Sequence, residues 1–239
     1  MITLLRKVRR GTLAENRFTR YLIYAVGEIV LVVIGILIAL NINNWNEGRK
    51  LAKVETALLK QLLEDAVADS AHFASRKSLF NGQIKTMVNF RALCEGRLDT
   101  IEAERILPVI ESPFLLILSH SDVMNNSPDA INGISDPDLK NGLRQYKLMY
   151  EYVALGTELV NNSLQANTTD PVIELSYTFP DQDSISVADL HIWCDDEDVI
   201  GYSTLLVRLE SVILIRVENM IEENRSFIAA LRRTLGDRE

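Results

Sequence analysis

An acidic residue, Glu28, lies inside the most apolar stretch of this 239-residue chain. A carboxyl group within a membrane is costly, and it can carry a proton in a proton-driven complex or contact a neighbouring helix. Glu28 follows Tyr21 by seven residues, about 10 Å along a helix, so it is nearer one end of the stretch than the middle. It could therefore also reach the membrane surface or meet Tyr24 or Arg20. Three interpretations of Glu28 therefore stay open: an interaction at the membrane surface, a contact with a neighbouring helix, and proton coupling.

Two further groups contain the residue types of metal sites and hydrolases. His191 and Cys194 precede four acidic residues, 195–198, a composition that suits a loose calcium site. The chain has three histidines and no paired Cys or His motif, and acidic runs are usually solvated, so we predict no metal site. The tripeptide His120-Ser121-Asp122 lacks the strained turn that frames a nucleophile. We therefore predict no catalytic residue, no cofactor and no enzymatic activity.

The apolar stretch itself predicts a membrane-spanning helix over residues 21–44. Tyr21 to Ile42 supplies 22 mostly apolar residues, and about 20 are needed to cross a bilayer. Side chains of the kind found at membrane interfaces flank it, namely Arg17, Arg20, Tyr21, Tyr24 and Trp45. A cleaved signal peptide is the alternative. The basic and apolar regions are long and no small-residue cleavage site follows them, which favours a retained anchor.

Charge is distributed unevenly along the chain. Residues 1–20 carry a net charge of +5 and the whole chain carries −8, so the remainder carries −13. Basic residues before a span favour the cytoplasm, so we predict a cytoplasmic tail at 1–20, a bacterial inner-membrane span and a periplasmic domain at 45–239. The tail is either an amphipathic helix on the inner leaflet or a solvated positive segment. The acidic body argues against a nucleic-acid partner.

Small residues recur on one face of the predicted span. Gly27, Leu31, Gly35 and Ala39 are spaced by four, and Glu28 lies near this face. Leu31 is bulky, so close approach of a second helix is restricted to Gly35 and Ala39. We predict self-association through this face. The alternative is that glycine is simply frequent in spanning helices.

Beyond the span, apolar residues recur at helical spacing in three long segments. The first runs from Lys50 to Cys94, and its one-sided stripe needs a partner, either within the chain or, as a coiled coil, in a second copy. The second begins at Asp136-Pro137 and runs to about Gln165, and the last covers Ser203 to Leu235. Residues 172–201 lack this period and predict an extended or irregular segment. The predicted fold is all-α, a spanning helix that continues into a long helix of an antiparallel bundle outside the membrane.

Two cysteines, Cys94 and Cys194, fall in the predicted periplasmic domain. An oxidising compartment permits a disulfide between them. One pair does not make a disulfide framework, and two buried thiols that act as small apolar groups are the alternative. Shorter helices are predicted at 99–107 and, as a single turn, from Ser127-Pro128.

A specific sequence pattern surrounds the span. It consists of Glu15-Asn16, a Tyr-Ala-x-Gly-Glu-Ile opening at 24–29, an apolar core at 33–40 and an Asn-Asn-Trp-Asn-Glu close at 43–47. Residues 16–50 thereby resemble a family of bacterial single-pass membrane proteins of unknown function. The resemblance implies a topology with one span and implies no mechanism.

The sequence thus predicts a membrane-anchored, non-enzymatic periplasmic helical bundle that acts as a sensor-like or scaffold module. Its expected partners are the lipid bilayer, a second copy held through the spanning and following helices, and an unidentified protein. The alternative is a proton-coupled accessory subunit of a membrane complex that uses Glu28.

Overall fold

The structure is a computed structural model that describes residues 17–99, 119–178 and 190–236. Within these ranges the elements are α1 (Arg17–Cys94), α2 (Asp122–Asn126), a 3-10 helix (Ala130–Asn132), α3 (Pro137–Ala166), α4 (Asp170–Thr178) and α5 (Glu197–Gly236). No strand occurs among the described residues, and the predicted all-α class is confirmed. Residues 100–107 of the predicted short helix lie outside the described residues.

Helix α1 covers 78 residues without a proline. It ends at Cys94, and Gly96 two residues further on adopts a φ of +67°. The Gly96 N–H donates to the Leu93 carbonyl at 3.0 Å, and the Arg97 N–H donates to the Ala92 carbonyl at 2.8 Å. A left-handed glycine followed by such bonds is a common way for a helix to satisfy its last carbonyl groups.

The chain divides into two compact units, Met1–Val54 and Glu55–Glu239. In the first unit every described side chain from Tyr21 to Lys50 is exposed. Among the described helices, α1 alone is long and apolar enough to cross a membrane, and none of its most apolar window is buried within the protein. The predicted span therefore coincides with an unburied apolar helix near the N-terminus.

The second unit has one apolar core, which α1, α3 and α5 enclose. Its largest fully buried side chains come from all three helices and include Leu59, Leu62, Phe80, Met87, Phe90, Leu139, Tyr146, Leu206, Ile213 and Phe227. These residues follow the helical stripes of the sequence, because each amphipathic helix must bury its apolar face against the others. The core is thus the part of the fold that the sequence pattern specifies directly.

Contacts between the helices define their directions in the second unit. Helix α5 runs antiparallel to α1, since its Asn224 contacts Ala66 and its Glu218 pairs with Lys77. It is also antiparallel to α3, because its Thr234 lies near Asp136 and its Arg216 near Tyr152. Helices α1 and α3 are parallel to each other. The described residues 119–136 precede α3, and Ser121, Asn126 and Ser135 among them bond to α1.

The start of α3 agrees with the prediction. Asp136 Oδ1 accepts hydrogen bonds from the Asp138 N–H at 2.9 Å and the Leu139 N–H at 3.4 Å, and Pro137 occupies the first turn. A capping carboxylate followed by proline satisfies or removes the free N–H groups of a helix start. Cap and proline are adjacent in sequence, which is why this boundary was predictable.

The prediction of an extended segment near 172–201 is wrong for most of its described residues. Residues 170–178 form helix α4, in which Val172 is fully buried. Helix α5 begins at Glu197, because Asp196 accepts bonds from two N–H groups of its first turn at 3.0 Å. Within 172–201, only residues 192–196 are irregular among those that the structure describes.

Candidate functional site

Asp69 is a carboxylate with no solvent exposure at the centre of the second unit. Its Oδ2 accepts hydrogen bonds from Ser121 Oγ at 2.6 Å and from the Tyr146 hydroxyl, and its Oδ1 accepts the Asp122 N–H at 2.6 Å. Burying a carboxylate is costly unless donors replace the lost water. Here α1 supplies the acceptor, and α3 and the start of α2 supply the donors.

Two more carboxylates of α1 bond to the described residues that precede α3. Asp65 Oδ1 accepts a bond from Asn126 Nδ2 at 3.0 Å, and Glu55 Oε1 accepts the Ser135 N–H at 2.6 Å. We refer to Glu55, Asp65 and Asp69 as the carboxylate row. All three are buried, and together they attach residues 121–135 to α1.

The tripeptide 120–122 shows why hydrolase chemistry is not assembled at this position. Ser121 Oγ donates to Asp69 and accepts the Met124 N–H at 3.3 Å, so it caps helix α2. The His120 ring instead contacts Asp122 Oδ1 at 2.9 Å and Asn125 Nδ2 at 3.2 Å. Serine and histidine thus have separate partners, and the geometry fixes the loop instead of activating the hydroxyl.

The Tyr146 hydroxyl is a hydrogen-bond donor to Asp69. Burial and the hydrogen bond to Asp69 raise the pKa of its hydroxyl well above the ordinary value. The hydroxyl therefore keeps its proton through the physiological range and donates continuously. Burial also raises the pKa of Tyr150, one turn further along α3.

Glu210 is a second kind of buried acid, on α5. It is 1% exposed, and burial raises its pKa to about 8. Its Oε2 atom has no hydrogen-bond partner among the described residues. Glu210 is thus largely protonated at neutral pH, unlike an ordinary surface glutamate.

A small cavity of about 20 Å³ lies between α1, α3 and α5. Phe73, Phe80, Val153 and Val217 give it an apolar lining. At its edge lie His72, Arg76 and His120, and the rings of the two histidines are 5.6 Å apart between centroids. The sequence prediction did not single out His72 or Arg76.

The residues predicted to act in the membrane lie in the first unit. Gly27, Glu28, Leu31, Gly35 and Ala39 are exposed on α1, and a Cβ atom added at either glycine would meet nothing within 4 Å. Of the predicted interfacial side chains that the structure describes, Tyr21, Tyr24 and Trp45 are also exposed. The guanidinium of Arg49 lies 5.0 Å from the Trp45 ring centroid.

Cys94 and Cys194 form a disulfide with their Cα atoms 5.0 Å apart. The bond joins the end of α1 to the turn before α5, across 100 residues of sequence. Within the described ranges, no group of three or more His, Cys, Asp or Glu side chains is arranged to hold a metal ion. This includes the acidic residues that follow Cys194.

Comparison with known proteins found one partial match to a family of unknown function. Residues 28–104 match the model of a family of unknown function (DUF6090). No curated protein and no solved structure matched the chain. The matched residues include positions 28–44 of the predicted span, most of α1 and the carboxylate row, so similarity to this family covers most of the helix on which the row is built.

The carboxylate row is the feature that the sequence prediction missed. Asp65 and Asp69 lie next to Leu62, Ala66 and Phe73, which belong to the apolar stripe of α1. Acidic residues within an apolar stripe signal buried carboxylates that need donors. That signal was present in the sequence, but the identity of the donors was not.

Proposed function

We propose that this protein is a non-enzymatic periplasmic helical bundle anchored in the bacterial inner membrane, and that it acts as a sensor-like or scaffold module. The observation that carries the proposal is an apolar surface on the bundle that the described residues leave uncovered. Helix α3 exposes four apolar side chains at spacings of four and three, namely Leu148, Tyr152, Leu155 and Leu159. A folded domain that exposes such a stripe is suited to binding another protein.

Helix α5 widens this surface. Val212 and Ile215 are 47% and 59% exposed, and they precede Arg216 by four residues and by one. The Arg216 guanidinium lies 4.0 Å from the Tyr152 ring centroid, so the exposed residues of the two helices adjoin. Six half-exposed side chains present on the order of 600 Å² of apolar area, close to the ~800 Å² that one partner contributes to a standard interface.

A second copy of this chain is the partner that we assign to the surface. The stripe on α3 has the heptad spacing of a helix that packs against another helix. An anchor in a membrane would confine copies to a plane and raise their encounter frequency. The exposed Gly35 and Ala39 on α1 offer an additional contact for self-association.

The location outside the cytoplasm is supported by two independent features. Basic residues precede the span, which favours a cytoplasmic N-terminus. The Cys94–Cys194 disulfide is of a kind that persists in oxidising compartments and is rare in the cytosol. Protease added to spheroplasts should digest residues 45–239, whereas protection of this region would contradict the orientation.

Self-association is tested by changing the stripe. We expect Leu155→Ser combined with Leu159→Ser to weaken association at least tenfold, because two apolar contacts are lost. The mass of the particles in nanodiscs, measured over a dilution series, reports the change. Val88→Ser is the matched control, since Val88 is a 45% exposed apolar residue on α1. A monomeric wild-type protein, or equal association of all variants, would contradict the proposal.

Glu28 supports a second candidate, a proton-coupled accessory subunit. Its carboxyl is exposed on the apolar part of α1 and has no side-chain partner among the described residues. An acid in this position can carry a proton or contact a neighbouring subunit. Glu28→Gln removes the proton site while keeping the shape. Unchanged phenotype and unchanged assembly after this substitution would eliminate proton coupling, whereas lost phenotype with intact assembly would favour it.

A further inference from the structure

Charged residues border the exposed apolar stripe of α3 on one side only. Arg144, Glu151 and Glu158 are spaced by seven residues, and all three are exposed. Helix α5 borders the stripe on the other side, because a Cβ atom added at Gly156 would overlap the Arg216 guanidinium. A residue just before a stripe position, such as Glu151, lies on one edge of the stripe, and a residue just after one, such as Gly156, lies on the other. The stripe therefore has a charged α3 edge and an α5 edge.

Contacts between α3 and α5 define which of their residues lie at the same level of the bundle. Arg216 contacts Tyr152, and Thr234 lies near Asp136. The two helices are antiparallel, so each step forward along α3 corresponds to one step back along α5. Within about one helical turn, ~5.4 Å, this register pairs the levels of Arg144 and Glu223, of Glu151 and Arg216, and of Glu158 and Arg208.

The two edges of the stripe thus carry opposite charges at each of these levels. Within one copy the stripe separates the edges. When two copies face each other with α3 parallel to α3 and in register, the α3 edge of each copy meets the α5 edge of the other at the same level. Opposite charges then meet at all three levels, on both sides of the apolar contact, and charge complementarity of this kind fixes the orientation of an interface.

An antiparallel arrangement of the two α3 helices is less favourable. It brings the two α3 edges together and the two α5 edges together. Arg144 can then meet the partner's Glu158, but Glu151 faces the partner's Glu151, and Arg216 faces the partner's Arg216, near the centre of the stripe. Like charges that meet across an interface cost free energy and suppress that mode of association.

We propose that two copies of this chain pair through α3 in a parallel, in-register arrangement. Each of the four stripe residues meets the same residue of the partner copy, and Glu151 pairs with the partner's Arg216. The Arg216 guanidinium lies 4.0 Å from the Tyr152 ring centroid, so it is already held beside the stripe. The inference rests on the proposed self-association and specifies its geometry and the charges that select it.

Cysteine crosslinking of the full-length protein in the membranes of expressing cells distinguishes the two arrangements. Leu148→Cys and Leu159→Cys are made separately, and disulfide formation after mild oxidation is followed by non-reducing electrophoresis. In the parallel arrangement each variant crosslinks to itself, because the two Cα atoms lie within the roughly 7 Å that a disulfide allows. In the antiparallel arrangement identical residues are about 16 Å apart along the helices, and only co-expressed variants crosslink, to each other. Val88→Cys, on the exposed face of α1, is the control and should not crosslink.

Charge reversal tests the edges independently of the introduced cysteines. Glu158→Lys and Arg208→Glu replace exposed residues, and each should weaken association about fivefold, because two attractive pairs of the dimer become repulsive. The double variant should restore association to within about twofold of the wild type, since the pairs are attractive again with their signs exchanged. The dilution series described above measures these changes. Glu64→Lys, an exposed acid of α1, is the matched control and should have no effect.

Crosslinks that form only between the two different variants would overturn the inference, as would a double variant that associates no better than the single ones. A protein that associates in the dilution series but forms no self-crosslink at either position would keep the proposed function and lose this geometry. A protein that stays monomeric in the dilution series would reject both.

Discussion

At the scale of single residues, buried acids decide how this bundle is held and how it responds to pH. Asp69 binds the loop before α3 through hydroxyl and backbone donors, whereas Glu210 is buried with an oxygen that has no described hydrogen-bond partner. The first arrangement compensates for burial of a carboxylate, and the second favours the protonated acid. Substitution of Asp69 should therefore lower the free energy of unfolding, whereas substitution of Glu210 should change how that free energy depends on pH.

Asp69→Asn should lower the free energy of unfolding by about 2–4 kcal/mol, because an amide group cannot accept from all of the donors that converge on this site. Urea unfolding in detergent micelles measures the change. Asp129→Asn is the matched control, since Asp129 is exposed and makes no side-chain cap bond. Equal stability of the two variants would show that the donors are satisfied in another way.

Glu210→Gln should flatten the dependence of stability on pH. The glutamate ionises near 4.5 when unfolded and near 8 when folded, so between these values the unfolded chain loses a proton that the folded chain keeps. The contribution of Glu210 to the free energy of unfolding is therefore fully present below pH 4.5 and falls as pH rises to 8, by up to about 4 kcal/mol.

Measurement of the free energy of unfolding from pH 5 to pH 8.5 gives its dependence on pH for the wild-type protein and for Glu210→Gln. The exposed Glu222, which pairs with Arg225 on the surface, provides the control substitution Glu222→Gln. A wild-type slope that Glu210→Gln leaves unchanged would mean that another group titrates.

At the scale of elements, local signals could be predicted from the sequence and remote partners could not. Helix α3 was predicted from Asp136-Pro137 to about Gln165 and extends to Ala166, because its cap and apolar stripe are encoded locally. Helix α4 was not predicted, because residues 172–178 lack the apolar period of the long helices, although Pro171 fits the first turn of a helix.

The carboxylate row was missed for a different reason. The donors to Asp69 lie 52 and 77 residues away at Ser121 and Tyr146. No periodicity in α1 indicates which distant hydroxyl groups will meet it, since that depends on the parallel placement of α1 and α3. The apolar cavity beside Arg76 is likewise formed by three helices, so it becomes visible only in the folded bundle.

Replacement of a glycine inside α1 should change the stability of the bundle. Gly82 lies in the helix interior, and a Cβ atom added there would meet nothing within 4 Å. Gly82→Ala should therefore raise the free energy of unfolding by about 0.5–1 kcal/mol through helix propensity and a less flexible unfolded chain. Gly133→Ala should show no such gain, because its Cβ would lie 2.6 Å from Leu58 Cδ2. Thermal unfolding followed by circular dichroism compares the two variants.

At the scale of the whole molecule, the Cys94–Cys194 disulfide is the covalent link between distant parts of the second unit. Its loop spans 100 residues, and closing a loop of that length restricts the unfolded chain. We expect reduction to lower the free energy of unfolding by about 2–5 kcal/mol. The double variant Cys94→Ser with Cys194→Ser should match the reduced protein and should not respond to dithiothreitol. A wild-type protein that is equally stable with and without reductant would contradict this expectation.

The same bond determines how the chain would carry a mechanical load. A pull between the two ends would pass from α1 through the two sulfur atoms into α5 and bypass residues 95–193. Those residues have a contour length of roughly 330 Å when extended, and none of it would be released while the bond is intact. The segment that contains α2, α3 and α4 is thus shielded from tension, and extension is limited to the chain outside the ring.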